Sequence, residues 1–209
     1  MIENDREELK EQLRAMVAGR GDGIDIDTPF HWVIENVKQP VLFFGQLPEL
    51  LPPDSILYFE GVSIAPDVAA FYASHRARNA VEVARDTIAP VPDIYHVTFS
   101  PNILAGLCRF AESRRVEELF NHIKAYRGEC LLFTFHDAFD GWLRISERLP
   151  ESAVVRFCQT LGVSSRREET TQRDPEQLRR ILLALENSHK IRFEGESWWR
   201  RLWRQLTGK

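Results

Sequence analysis

Three short apolar runs, each followed by a polar turn or a helical pattern, constrain this chain most. SILYFEG (55–61), DIYHVTFS (93–100) and ECLLFTF (129–135) are rich in β-branched and aromatic residues and read as strands. After the first, Pro66 and Asp67 open a short helix carrying Val68, Phe71 and Tyr72. After the second, Ser100 and Pro101 supply a helix N-cap and a proline at the first helical position. Such alternation predicts an α/β (or α+β) fold: a mixed, largely parallel sheet flanked by helices, with a C-terminal helical segment.

The rest of the chain is read the same way. PVLFFG (40–45) is a compact apolar run and is expected to be a strand; DGIDIDTP (22–29) and VEVARDTI (81–88) alternate weakly. Ile103, Leu104, Leu107 and Phe110, then Val116, Leu119, Phe120 and Ile123, predict two helices or one kinked near Glu112–Arg115. WLRIS (142–146) is expected to pair back on ECLLFTF through the DAFDG turn, which argues against a purely parallel sheet. Helices are also predicted over 4–18, 150–161 with Gly162 as the stop, and from Asp174-Pro175 to about Asn187.

The predicted organisation is a main α/β domain over 1–163 and a polar linker over 164–174, SSRREETTQRD, with no apolar side chain. A C-terminal helical segment over 175–209 is expected to pack on the main domain, giving a single domain overall.

The 209 residues are 44% hydrophobic and 28% charged, which excludes disordered and fibrous classes. A formal net charge of −4 gives no general attraction to nucleic acid, which is therefore not an expected partner. Cys108, Cys130 and Cys158 are odd in number, scattered and set in apolar stretches, so they predict buried thiols in a reducing cytoplasm. The charged start, MIENDREELKEQ, lacks the apolar core of a signal peptide. No run is long enough to span a bilayer.

Ligands of open α/β sheets bind where the carboxyl ends of strands converge. That rule gathers Glu60 and Gly61 after SILYF, Ser100 after DIYHVTF, and His136 and Asp137 after ECLLFTF, with Asp140 and Arg144 close by. His136, Asp137 and Glu60 are the candidate catalytic residues, because a histidine beside carboxylates suits acid–base work or a divalent metal. The competing structural reading is a polar turn, with Asp137 and Asp140 bonding local backbone and Gly141 at positive φ. Ser100 is read as a cap. The spacings H-x-H and H-E-x-x-H are absent, as are the G-x-S-x-G, G-x-G-x-x-G and Walker A strings, so no cofactor is predicted and the metal is left open. The aspartates of DGIDIDTP do not complete a calcium loop. His96 lies inside a strand and is expected to be structural; His31, His75, His122 and His189 are expected to be exposed or half-buried.

Three of the five tryptophans fall in the last twelve residues. On a helix, Trp199, Leu202, Trp203 and Leu206 form an apolar stripe, with Arg200, Arg201 and Arg204 on the other side. The plainest reading is a terminal helix docked on its own domain. Trp199, Arg200, Leu202, Trp203, Arg204 and Leu206 are also candidates for a protein-binding or self-association surface, or for contact with a membrane surface. The leading functional expectation is a cytoplasmic protein-binding domain. A small hydrolase-like or metal-assisted enzyme is second, and peripheral membrane association third.

Overall fold

In the computed structural model, residues 23–87 and 91–170 are described, and all fall in the unit Gly19–Gln172. Seven strands are found there: β1 (Phe30–Glu35), β2 (Ile56–Gly61), β3 (Asp93–Thr98), β4 (His122–Arg127), β5 (Cys130–His136), β6 (Trp142–Ser146) and β7 (Ser165–Glu169). The helices are α1 (Pro40–Leu50), α2 (Pro66–Ser74), α3 (Pro101–Ser113) and α4 (Glu151–Leu161), with one 3-10 turn at Val116–Glu118. The strands form one sheet in the order β3-β2-β4-β5-β6-β1-β7.

Every pairing in that sheet is antiparallel, so the expectation of a largely parallel sheet is overturned. Two elements account for the error. PVLFFG is not a strand but the start of α1: Pro40 takes the first helical position, and Leu47 and Leu50 continue the buried stripe of Phe43 and Phe44. Val116–Ile123 is not a helix either. One 3-10 turn buries Leu119 and Phe120, and the chain then enters β4. β4 meets β5 through the tight turn at Gly128, whose φ is +56°, and a turn that short joins only antiparallel strands.

Local capping was readable. The Ser100 side chain accepts the N–H of Ile103 at 3.4 Å, and Gly162 closes α4 in the left-handed region at φ +67°. Replacing Ser100 with alanine should cost about 1 kcal/mol in urea unfolding; no loss would show that the cap is idle. The expected strand over 142–146 is β6, paired back on β5 with His136 opposite Trp142. The segment read as a linker contributes β7, an edge strand on β1. The predicted helices over 4–18 and 174–187 lie outside the described residues, as does His189.

Period two sorts the sheet into two faces. Leu57, Phe59, Ile123, Ala125, Phe133, Phe135, Leu143 and Ile145 point to the main core beneath the helices. At its centre the Phe43 ring meets those of Phe44, Phe133, Phe135, Phe139 and Phe157. The other face carries Tyr58, Glu60, His122, Lys124, Tyr126, Thr134, His136, Trp142 and Arg144. There Tyr58, Val83, Tyr126 and Leu131 make a smaller apolar cluster, with Ile24, Ile26, Ile56 and Val81 packed against it. The 81–87 segment is tied down by an Ile24–Val83 bridge and by the Ile24 N–H bond to the Glu82 carbonyl. No helix among the described residues is long and apolar enough to cross a membrane.

Candidate functional site

The second face carries a row of polar side chains that crosses four strands. Glu60 of β2 sits opposite His122 of β4, and His136 of β5 opposite Trp142 of β6. The His122 and His136 rings stack at 4.6 Å, and the His136 and Trp142 rings at 5.2 Å. Arg144 lies over the Trp142 ring at 4.1 Å. Asp86 joins from the 81–87 segment. Asp86, His122 and His136 each place a ligand atom within 4.8 Å of the other two.

Glu60 belongs to this arrangement in a supporting position. It is fully buried, and its carboxylate accepts the Tyr58 hydroxyl at 2.8 Å, the Asp86 N–H at 3.1 Å and the Thr87 N–H. Those bonds fix the backbone that carries Asp86. Burial, reinforced by the charge of Glu60, holds the Tyr58 phenol well above its ordinary range, so it stays a donor.

Asp86 is the electrostatic centre. Its Oδ2 lies 3.1 Å from Lys124 Nζ and 3.8 Å from His136 Nδ1, so this buried oxygen is held by charge rather than by a well-aligned hydrogen bond. Burial alone would raise the Asp86 carboxyl. Lys124 and His136 outweigh it and hold the group well below the usual carboxylate range. Burial likewise opposes a charge on His136, but Asp137 and Asp86 raise that ring to about 9. The charged imidazolium form of His136 is thus favoured between two carboxylates, with its Nε2 3.3 Å from Asp137 Oδ2.

His122 is lowered, chiefly by burial, with the charge of Asp86 working the other way. Its Nδ1 accepts the Asp137 N–H at 3.0 Å, which leaves the ring proton on Nε2 in the neutral form. Asp137 is thus bound to both imidazoles, and it does so at φ +43°, a strained value for a residue with a side chain. Phe139 shares that strain at φ +72°, held by its ring in the phenylalanine core. Gly141 does not supply the positive φ expected of it. A Cβ there would lie 2.1 Å from the His136 carbonyl oxygen, so glycine is required by close approach.

The structure therefore brings together His136 and Asp137 directly, and Glu60 through the Asp86 backbone. Asp140 turns away to Lys38 at 3.3 Å, and Ser100 caps α3. His96 is satisfied by the Tyr126 hydroxyl at 2.8 Å. His31 and His122 are buried, contrary to expectation. Trp199, Arg200, Leu202, Trp203, Arg204 and Leu206 lie outside the described residues.

Sequence reasoning missed Asp86, His122 and Lys124. Two of these had a signal: in HIKAYR, His122, Lys124 and Tyr126 alternate with Ile123 and Ala125, a strand pattern with one polar face. Asp86 had none, because it sits in irregular backbone.

Two imidazoles and a carboxylate suit a divalent ion of the borderline transition series. The donor types suit such an ion, and ligand atoms lying within 4.8 Å of one another would need only to draw closer to share it. The His122 and His136 rings are stacked nearly parallel, so to hold a shared ion at least one ring would have to turn and His136 would have to give up its proton. The described residues define an antiparallel α+β domain with a two-histidine, one-carboxylate cluster on its sheet. Comparison with protein-family models, curated proteins and solved structures finds no match to it.

Proposed function

We propose that this protein works through a divalent transition-metal site made by Asp86, His122 and His136, with Asp137 orienting the two rings. The observation that carries this reading is the convergence of Asp86, His122 and His136, whose ligand atoms all lie within 4.8 Å of one another around a buried carboxylate oxygen. A buried carboxylate calls for positive partners, and a cation is a partner that two imidazoles and a carboxylate can share. Asp137 has the place of the outer carboxylate that steers a ligating histidine.

Three protein ligands leave a position for water or substrate, so the metal-assisted alternative is favoured here over pure protein binding. Once bound, the ion would supply Lewis acidity at that position. His136 and Asp137 form the accessible side: their side chains are 21% and 61% exposed, against 6% for His122. The three free cysteines support placement in the reducing cytoplasm.

The test is titration of the metal-stripped full chain with Zn2+ by calorimetry, and with Co2+ by visible absorption. One equivalent should bind. Asp86→Ala and His136→Ala should each weaken binding by more than ~100-fold, and Asp137→Asn by ~10-fold, the range for residues behind the ligands. Absence of binding, or binding indifferent to Asp86 and His136, would refute the assignment.

A further inference from the structure

We infer that Lys124 sets the affinity and selectivity of this site, because its ammonium holds Asp86 where a divalent ion would otherwise do so. This rests on the metal-site reading above. Lys124 projects from β4 two residues beyond His122, on the same face of the sheet, and its side chain is only 2% exposed. Its Nζ donates to the Ala84 carbonyl, two residues before Asp86, and lies 5.8 Å from the Tyr58 ring centre. The ammonium is therefore anchored independently of Asp86 and is poised 3.1 Å from Oδ2.

Among the described residues, the ion-pair partners of Asp86 are Lys124 and His136. A metal bound to Asp86 sits about 2.1 Å from the carboxylate oxygen. With Lys124 Nζ 3.1 Å from that oxygen, an ion on it lies no more than about 5 Å from the ammonium. At that distance two positive centres repel strongly in a water-poor site. Lys124 thus acts twice: it competes for the carboxylate, and it raises the energy of any cation that arrives.

The consequence is selectivity. Ions that imidazole binds strongly, such as Zn2+, Ni2+ and Cu2+, can offset the lost ion pair through His122 and His136. Mg2+ and Ca2+ depend on oxygen ligands, and here they meet one carboxylate already engaged by an ammonium. Lys124 is a positioning and selecting residue rather than a ligand.

The discriminating variants are Lys124→Gln, which keeps a donor for the Ala84 carbonyl but loses the charge, and Lys124→Met. Each is made in the full chain, stripped of metal, and titrated with Zn2+ and with Mg2+ alongside the wild type. Lys124→Gln should bind Zn2+ at least ~10-fold more tightly than wild type. Zn2+ should also raise its melting temperature by more than it raises that of wild type. Lys124→Met should shift in the same direction if it folds. A residue with a merely structural role would weaken binding together with the fold. Equal or weaker Zn2+ binding by Lys124→Gln overturns the inference even if wild type binds. Binding by the variant alone supports it while removing the metal-site reading of wild type. No binding by either removes both.

Discussion

Replacing Lys124 with methionine is expected to cost the metal-free protein about 3 kcal/mol of stability, because it strands a buried carboxylate. Lys124 is almost fully buried, and Asp86 Oδ2 and the Ala84 carbonyl both lose their partner with it. The loss stays below the full penalty of an isolated buried charge, because His136 continues to face Asp86. Most of this cost reflects the charge left behind rather than the net worth of the pair. Removing Asp86 as well, in Lys124→Met with Asp86→Leu, should therefore restore much of the stability. Urea unfolding of the four proteins completes the cycle. A double variant as weak as the single one would show that Lys124 acts through packing instead.

The second large effect is on pH. His136 is raised from 6.5 to about 9 in the folded protein, mainly by Asp137 and Asp86 against the opposing effect of burial. A raised group contributes stability that is complete below its unfolded value and is lost as pH rises through its folded value. The window is therefore pH 6.5 to 9, and the loss across it is about 2–3 kcal/mol in the metal-free protein. The depressed Asp86 carboxyl owes most to Lys124, and only its His136 part is the same contact seen from the other side. His31, His96 and His122 are lowered by burial, so they act with the opposite sign: their contribution is present above 6.5 and is lost as pH falls. Stability should thus decline on both sides of neutrality. Urea unfolding of metal-free wild type and His136→Gln at pH 6.5 and pH 9.5 isolates the alkaline limb. The variant should lack most of the decline, and an identical decline would assign it to other groups.

How much of this was legible follows from the physics of each element. Ser100-Pro101 and Gly162 are local devices and could be read from local sequence. The β5–β6 hairpin carried its own turn chemistry. Strand direction is different: a helix between two strands can return the chain to either end of the sheet, and apolar periodicity does not record which. β4 was misread because it is buried on both faces, so Ile123 and Ala125 look continuous with the helical spacing before them. β7 was misread because SRREE lies at the sheet edge, where charged side chains discourage further pairing and leave no apolar signal. The FHWVIE strand, β1, was passed over entirely.

The site divides in the same way. His136 and Asp137 stood out as polar residues at the end of an apolar run. Asp86 depends on Glu60, 26 residues earlier in the chain, for the backbone bonds that aim it. Its companions His122 and Lys124 depend on the β2–β4 pairing, which brings them beside Glu60 and Tyr58. No local pattern encodes that meeting.

The most direct measurement is a crystal structure of the full chain grown with Zn2+, with diffraction recorded on both sides of the zinc absorption edge. The expected result is one anomalous peak at Asp86, with bonds of about 2.0–2.2 Å to its carboxylate and to one nitrogen each of His122 and His136. In that structure the Asp137 N–H or the stacked ring pair should have moved from its metal-free position. A peak elsewhere on the chain, with Asp86 still paired to Lys124 and His136 still between its two carboxylates, would contradict the metal-site assignment.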